Sequence, residues 1–495
     1  MRECKLIIKD EVNVKIEGLE LGDRKTLMKM FEYEKPGARF QPAVRLGRWN
    51  GKVSYFSLGG TTFVNLLPQI LPLLDQAGYD IELQDERTYS TTFNFNPVTE
   101  DTFAAYSWPK GHPKAGEAIK LRDYQIEVIN NFLANPQSVQ EVATGAGKTI
   151  TTAALSYSVQ DYGRTIVIVP NKSLVVQTEE DYKNVGLDVG VYFGDRKDYN
   201  KKHTICTWQS LNNLLKDTQA GEVDFTIQDF IEDVVCVMVD EVHMAKADAL
   251  KTLLTSTFAH VPIRWGLTGT IPKAIYEAQA IYVSLGHVIG KLSAKELQDK
   301  GVLAQCHVNI VQLKDEVEFT NYQSELKYLT EDSKRLDAIT SLVNKISESG
   351  NTLILVDRIG AGRELQRRLS DIFSLLKDAP DVAFVSGEMK LTERKEEYDE
   401  VATSNKKVII ATYGVAAVGI NIPRIFNLVL IEPGKSFVRV IQSIGRGIRK
   451  AEDKDFVQIW DITSNCKFAK RHLTQRKSFY KEANYPFDIE KLDYK

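Results

Sequence analysis

The sequence predicts an α/β protein in which two tandem parallel-sheet domains follow a small α+β domain. Three observations predict it. From about residue 118, short and nearly continuous apolar runs alternate with helical segments, the pattern of strands covered on both faces. The alternation restarts after about residue 330, with no close repeat between the two halves. The stretch ATGAGKT at 143–149 places glycines directly ahead of a helical segment, where a parallel sheet presents backbone N–H groups to an anion.

The elements follow in chain order. Residues 1–92 carry the alternating runs KLIIKDEVNVKIEG and KVSYFSL, with the apolar run FVNLLPQILPLLDQAG after them, so strands and a helix are expected in a small accessory domain. Residues 93–117 hold three prolines and little periodicity, and read as a linker. The first parallel-sheet domain, 118–300, has strands expected at 165–170, 203–207, 234–241 and 264–270. A crossover is expected over 301–330. The second domain, 331–495, has strands expected at 352–357, 382–387, 407–412, 428–433 and 456–460. It ends in a helix over 467–483. Phe468, Leu473 and Phe479 of that helix would dock, and a basic face with Lys470 and Arg471 would suit a phosphate backbone.

Composition bounds the partners. The 495 residues are 43% hydrophobic and 26% charged, ordinary for a globular chain of about three domains. The net charge of -3, from 63 basic and 66 acidic side chains, gives no global positive field, so any nucleic-acid surface is local. The five cysteines are scattered and form no CxxC pair, which points away from zinc and disulfides and towards a reducing cytoplasm. No apolar stretch of about 18 residues occurs, and the N-terminus MRECKLIIKDE is charged too densely for a signal peptide, so no membrane partner is expected.

The chemistry concentrates at four places. In the loop, Thr144, Gly145, Ala146 and Gly147 let backbone N–H groups approach phosphates, Lys148 can reach the β- and γ-phosphates, and the Thr149 hydroxyl can ligate Mg²⁺. Val142 stands where the strict GxxxxGK[ST] form has its first glycine. The run VMVDEVH (237–243) ends an apolar strand in Asp240 and Glu241, suited to holding Mg²⁺ and to polarising an attacking water. In LRDYQ (121–125), Gln125 can pair with an adenine edge and Tyr124 can stack on the ring. Arg446 and Arg449 of QSIGRGIRK share a helix face in a domain without its own phosphate loop, so they can serve the other domain's γ-phosphate. A further run, ARFQPAVRLGRWNGKVSYF (38–56), carries Arg45, Arg48 and Lys52 around Trp49 and no acid. It reads either as a duplex-backbone contact or as a Gly-containing turn entering a strand, with Trp49 in the core.

In order, LRDYQ, ATGAGKT, IVPNKSLVVQ, TWQSL, DEVH, LTGT, ILVDRIGAG, ATYGVAAVGINIP and QSIGRGIRK resemble the motif set of the superfamily 2 helicases, over about 118–465, about 70% of the chain. The resemblance implies two RecA-like domains that use ATP and Mg²⁺. It puts Tyr124 and Gln125 at the adenine, and Gly145, Gly147, Lys148 and Thr149 at the phosphates and metal. Asp240 and Glu241 would be the metal and water residues. His243, Thr268, Gly269 and Thr270 would couple nucleotide to strand. From the second domain, Gly419 would approach the nucleotide, with Gln442, Arg446 and Arg449 as water-positioning and finger residues. Pro170, Thr207, Gln209 and Thr412 match positions that touch the nucleic-acid backbone. One departure is GINIP, with Asn421 where the pattern has an acid. The N-terminal pattern of Arg39, Phe40, Pro42, Arg45, Gly47, Trp49 and Gly51 is similar to that of the UvsW-type phage recombination helicases. That implies a monomeric 3′–5′ motor on branched or forked DNA in the host bacterial cytoplasm, beside recombination or replication proteins. It would migrate branches, regress forks and dissociate R-loops. The alternatives are an RNA helicase, although such enzymes carry DEAD and SAT where this chain has DEVH and LTGT, a double-strand DNA translocase of a restriction complex, and an ATP-gated clamp.

Overall fold

The computed structural model describes residues 2–89, 92–110, 112, 114–244, 247–375, 380–416, 422, 424–434, 444, 451 and 453–494. It divides into two compact units, Met1–Val142 with Gly147–Lys291, and Ala143–Ala146 with Leu292–Lys495.

In the first unit, the N-terminal strands are β1 (Arg2–Ile8), β2 (Asn13–Glu17), β3 (Glu32–Glu34), β4 (Lys52–Ser54), β5 (Thr61–Phe63) and β6 (Tyr79–Asp85). A four-stranded sheet runs β5-β2-β1-β6, with β1 antiparallel to β2 and parallel to β6, and β3 pairs with β4 separately. Alternation sends Cys4, Leu6 and Ile8 of β1 and Val14 and Ile16 of β2 into one core. The helix Leu67–Gln76 adds Leu67, Ile70 and Leu74.

That core is not closed by the N-terminal residues alone. Tyr276, Ala280 and Val283, from the helix Ile275–Leu285, belong to it. Hydrogen bonds fix the seat: Tyr55 Oη donates to the Tyr276 carbonyl (3.1 Å), Asn65 Nδ2 to the Tyr282 carbonyl (2.9 Å) and Asn13 Nδ2 to the Thr255 carbonyl (2.7 Å). Residues 93–117, expected as a linker, are irregular but packed. Phe103 is buried, Phe93 and Phe95 set their rings edge-on to Tyr162 at 5.2 and 5.6 Å, and Val98 N donates to Asn130 Oδ1 (2.9 Å). The prolines break periodicity, whereas the aromatic side chains still bury.

The larger sheet of this unit has β7 (Gln137–Val142), β8 (Arg164–Val169), β9 (Val189–Phe193), β10 (Arg196–Lys197), β11 (His203–Thr207), β12 (Val234–Asp240), β13 (Ile263–Thr268) and β14 (His287–Leu292). Their order is β10-β9-β11-β8-β12-β13-β7-β14, parallel from β9 through β7. Every residue of β11, β12 and β13 is buried, as covering on both faces requires.

The second unit holds β15 (Gln305–Leu313), β16 (Thr352–Val356), β17 (Asp381–Val385), β18 (Lys407–Thr412), β19 (Asn427–Ile431), β20 (Phe456–Ser464) and β21 (Phe487–Leu492). All pair in parallel, in the order β17-β18-β16-β19-β20-β15-β21. The stretch 301–330, expected as a crossover, therefore contains a nine-residue strand between β20 and β21. No described helix is long and apolar enough to cross a membrane.

Two predictions follow from this packing. Tyr276→Ala removes a ring from the core shared by the N-terminal sheet and the helix Ile275–Leu285. It should lower unfolding free energy by about 3–5 kcal/mol, against about 1 kcal/mol for Tyr276→Phe, which loses only the hydroxyl bond. Denaturant titration of the two variants checks the order, and equal midpoints would show that the ring is not part of the seat. The second concerns His203 at the start of β11, fully buried, with no hydrogen-bond partner for either ring nitrogen among the described residues. Burial pushes its pKa down from 6.5 to about 4; Lys202 adds to the shift and Asp188 opposes it. Between those values the unfolded chain binds a proton that the folded chain refuses. Stability present above pH 6.5 should therefore fall, on the order of 3 kcal/mol, as pH drops towards 4. His203→Leu should flatten that slope in denaturation series at pH 7, 5.5 and 4.5.

Candidate functional site

The site residues of the first unit gather at the carboxyl edge of β7, β13 and β12, where ligands of parallel sheets bind. Gly147, with φ +82°, caps the helix Lys148–Val159. A Cβ at Gly147 would stand 2.5 Å from Gln125 Nε2, so the loop and the Gln125 side chain lie in direct contact. Gln125 is oriented by its Oε1, which accepts the Arg122 N–H at 2.9 Å. Thr149 is half-buried, and its carbonyl accepts the Thr152 hydroxyl at 2.8 Å. The apex Ala143–Ala146, which includes Thr144 and Gly145, belongs to the second unit, where Ala143 N donates to the Leu292 carbonyl (2.9 Å).

Lys148 Nζ is ion-paired with Glu241 Oε1, and both side chains are almost sealed, 9% and 6% exposed. The other carboxylate oxygen of Glu241 accepts the Gly269 N–H at 3.3 Å. Asp240 is buried, and its Oδ1 accepts the Glu241 N–H at 2.9 Å. Glu241 holds φ +53°, a left-handed backbone uncommon for a residue with a Cβ and typical of functional positions. His243 Nδ1 lies 2.6 Å from Thr268 Oγ1, which donates to the Thr270 carbonyl at 2.8 Å. Lys148, Glu241, Gly269, His243, Thr268 and Thr270 form one connected polar cluster, since His243 Nδ1 also stands 3.6 Å from Glu241 Oε2.

Tyr124, expected to stack on the adenine, lies on the helix Asp123–Ala134 next to Gln125. Its ring is 3% exposed and its hydroxyl takes a hydrogen bond from Arg122 Nη1 at 2.9 Å, because the helix Asp123–Ala134 turns that face into the core. Sequence reasoning passed over Trp108 and His112, stacked at 4.0 Å. Burial lowers the His112 pKa, and Lys114 and Arg122 lower it further, so this pair stands near the residue that orients Gln125. The available signal was SWPKGH, an aromatic pair in a stretch without periodicity.

The expected nucleic-acid contacts are dispersed. Pro170 follows β8 half-buried and Gln209 is exposed. Thr207 is buried, and its hydroxyl caps the helix Trp208–Ala220 by accepting the Ser210 N–H at 3.3 Å. In the second unit, Thr412 ends β18 half-buried, and Lys470 and Arg471 are exposed on the helix Lys467–Glu482. Arg476 of the same helix turns inward and binds Asp461 at 2.8 Å. Arg45, Arg48 and Lys52 are exposed, with Lys52 Nζ 3.5 Å from Glu32. Trp49 is half-buried rather than core, and its Nε1 donates to the Lys52 carbonyl at 2.8 Å. Gly419, Asn421, Gln442, Arg446 and Arg449 lie outside the described residues.

Residues 118–273 match the family model "Type III restriction enzyme, res subunit", and 334–451 match "Helicase conserved C-terminal domain". Over 93% of its length the chain is 25% identical to the ATP-dependent DNA helicase uvsW of Enterobacteria phage T4, covering 90% of that protein. Over 75% of its length it is 23% identical to the DNA 3'-5' helicase XPB of Kineococcus radiotolerans, covering 65% of that protein. A solved fragment of an HsdR subunit of a type I restriction enzyme from Vibrio vulnificus aligns with 97% of this chain and 85% of its own, at 18% identity and a TM-score of 0.58, a likeness of fold alone. With both helicase domains matched in order, the chain is a helicase of superfamily 2, related to uvsW and XPB.

Proposed function

We propose that the chain is an ATP-hydrolysing DNA helicase and translocase that moves 3′–5′ along one strand and remodels branched DNA, by branch migration, fork regression and R-loop dissociation, in recombination, repair and replication. One observation carries the reading: Lys148 is joined through Glu241 to Gly269 and the His243–Thr268–Thr270 bonds. A change at the phosphate loop therefore reaches the residues expected to couple to the strand. The names of uvsW and XPB support DNA as the substrate.

In this reading ATP binds at the loop, with Gln125 at the adenine and the N–H groups around Gly145 and Gly147 on the phosphates. Lys148 exchanges Glu241 for the β- and γ-phosphate oxygens. Thr149 and Asp240, both hard oxygen donors, would hold Mg²⁺, which adds charge neutralisation. Glu241, released from Lys148, takes the proton of the attacking water as its oxygen bonds to the γ-phosphorus, and the bond to the β-phosphate oxygen breaks to release ADP and phosphate. Gln442, Arg446, Arg449 and Gly419 are assigned to the second domain's side of that reaction. Residues 1–92 act as an accessory DNA-binding domain, with Arg45, Arg48, Trp49 and Lys52 at duplex backbone. Pro170, Thr207, Gln209, Thr412, Lys470 and Arg471 would follow the tracked strand. The protein would work as a monomer in the host cytoplasm beside recombination or replication proteins.

Lys148→Ala and Glu241→Gln should each abolish ATP turnover, and a near-normal rate in either would overturn the assignment. Neutralising Arg45, Arg48 and Lys52 together should weaken binding to forked DNA and reduce the slope of log K against log salt by about 3, since each phosphate contact contributes about 0.9. An unchanged slope returns the run to an ordinary surface. Strand separation measured side by side on linear duplex, forked DNA, a four-way junction and RNA duplex tests the substrate, and activity on RNA alone would refute it.

A further inference from the structure

The run 38–56 holds more than cations. Phe40 is 62% exposed, the most exposed aromatic ring among the described residues, and Leu46 is 65% exposed. Both stand on a compact knuckle. A 3-10 turn, Ala38–Phe40, leads into the short helix Pro42–Arg45. Arg48 N (2.8 Å) and Trp49 N (3.2 Å) both donate to the Ala43 carbonyl, and the Trp49 indole closes on Lys52. Gly37, Gly47 and Gly51 take the left-handed φ values, +74°, +64° and +80°, that these turns demand. The buried Ala38 and the neighbouring Gly51 root the knuckle, since a Cβ on Gly51 would lie 3.1 Å from Ala38 Cβ. Phe40 is thus exposed from a hydrogen-bonded scaffold. The Arg39 guanidinium lies 4.8 Å from its ring centroid, and Arg39, Arg45 and Arg48 form no ion pair among the described residues.

We propose that Phe40, seconded by Leu46, stacks on an unpaired or end-of-stack base at a DNA branch while Arg39, Arg45 and Arg48 grip the phosphates beside it. This rests on the reading of residues 1–92 as a DNA-binding domain. Charge names the occupant: an isolated exposed ring amid arginines, in a run without any acid, complements a polyanion that carries π faces. Inside continuous duplex those faces are already stacked, and inserting an apolar side chain must first separate a base step. At a branch the stack already ends, so the same ring finds a face without that cost. The ring therefore gives preference for junctions over linear duplex, through a base face that phosphate contacts alone do not engage.

The test uses the full chain, a four-way junction with 2-aminopurine at the branch, and a linear duplex of the same sequence. Wild type should change 2-aminopurine emission on the junction. Phe40→Ala should lose that change and reduce the junction-over-linear affinity ratio by about tenfold, on the scale of one base–aromatic stack. Phe40→Trp should keep both, and an unchanged thermal midpoint confirms that the exposed ring was not needed for folding. Full emission change and full preference in Phe40→Ala overturn the inference. The underlying reading is tested separately by Arg45→Ala with Arg48→Ala on linear duplex. Unchanged affinity there rejects the domain's phosphate contact, whatever Phe40 does. Failure of wild type to bind the junction rejects both.

Discussion

The contact between Lys148 and Glu241 is the constraint around which the first unit is built. Removing a cation and a carboxylate from water costs several kcal/mol each unless they meet and their remaining hydrogen-bonding capacity is met. Here the two come from the ends of different strands, β7 through its loop and β12. The N–H that completes the Glu241 carboxylate comes from Gly269, just past β13. The order β12-β13-β7 makes this possible, because β13 lies between the other two and brings its own carboxyl end to the same edge. A parallel sheet with all three strands in one direction is the simplest way to bring three sequence-distant loops within hydrogen-bond reach. In the proposed chemistry this pair must open for phosphate, so the contact that organises the site is also the one that catalysis interrupts.

The elements leaving that edge reach the N-terminal sheet. After His243 the chain enters the helix Ala247–Thr252, where Asp248 is paired with Lys35 and accepts the Tyr276 hydroxyl at 2.6 Å. After Thr270 it enters the helix Ile275–Leu285, which supplies Tyr276, Ala280 and Val283 to the N-terminal core. Lys251 sits among the Tyr55 and Phe63 rings, 4.1 and 5.4 Å from their centroids, and burial pushes its pKa down. The two segments that approach Glu241 therefore continue into the two helices that pack on the N-terminal sheet and its loops.

Much of this was legible in the sequence, for physical reasons. VVCVMVDE and TLILVD were expected as buried parallel strands because their apolar runs are nearly continuous, and β12 and β16 are sealed as expected. Lys148, Asp240 and Glu241 were expected at one site from their residue types and spacing, and the structure brings the three together at one sheet edge. Other features depended on tertiary context. Residues 301–330 were expected as a crossover, yet β15 lies within the second sheet, paired with β20 and β21. Residues 93–117 lack periodicity, and periodicity says nothing of whether Phe103 finds a groove. Tyr124 was read by chemical type, as a stacking ring, and residues 467–483 as a helix with a basic face. Helix phase buries Tyr124 and, within that basic run, Arg476.

The second unit shows what such inward cations do. Arg335 and Arg476 are fully buried and could not persist alone. Arg335 binds Asp315 at 3.2 Å and Glu432 at 2.5 Å, while Arg476 binds Asp461 and donates to the Gly434 carbonyl at 2.8 Å. Glu432 and Gly434 lie between the end of β19 and the segment bearing Gln442, Arg446 and Arg449. Past that segment, Ala451 and Lys454 bridge through backbone bonds just ahead of β20. Hydrophobic side chains of similar volume would often stabilise such a core at least as well. They would not direct a guanidinium to one particular carbonyl. The network therefore fixes Glu432 and Gly434, the first residues past β19, against β20 and the helix Lys467–Glu482.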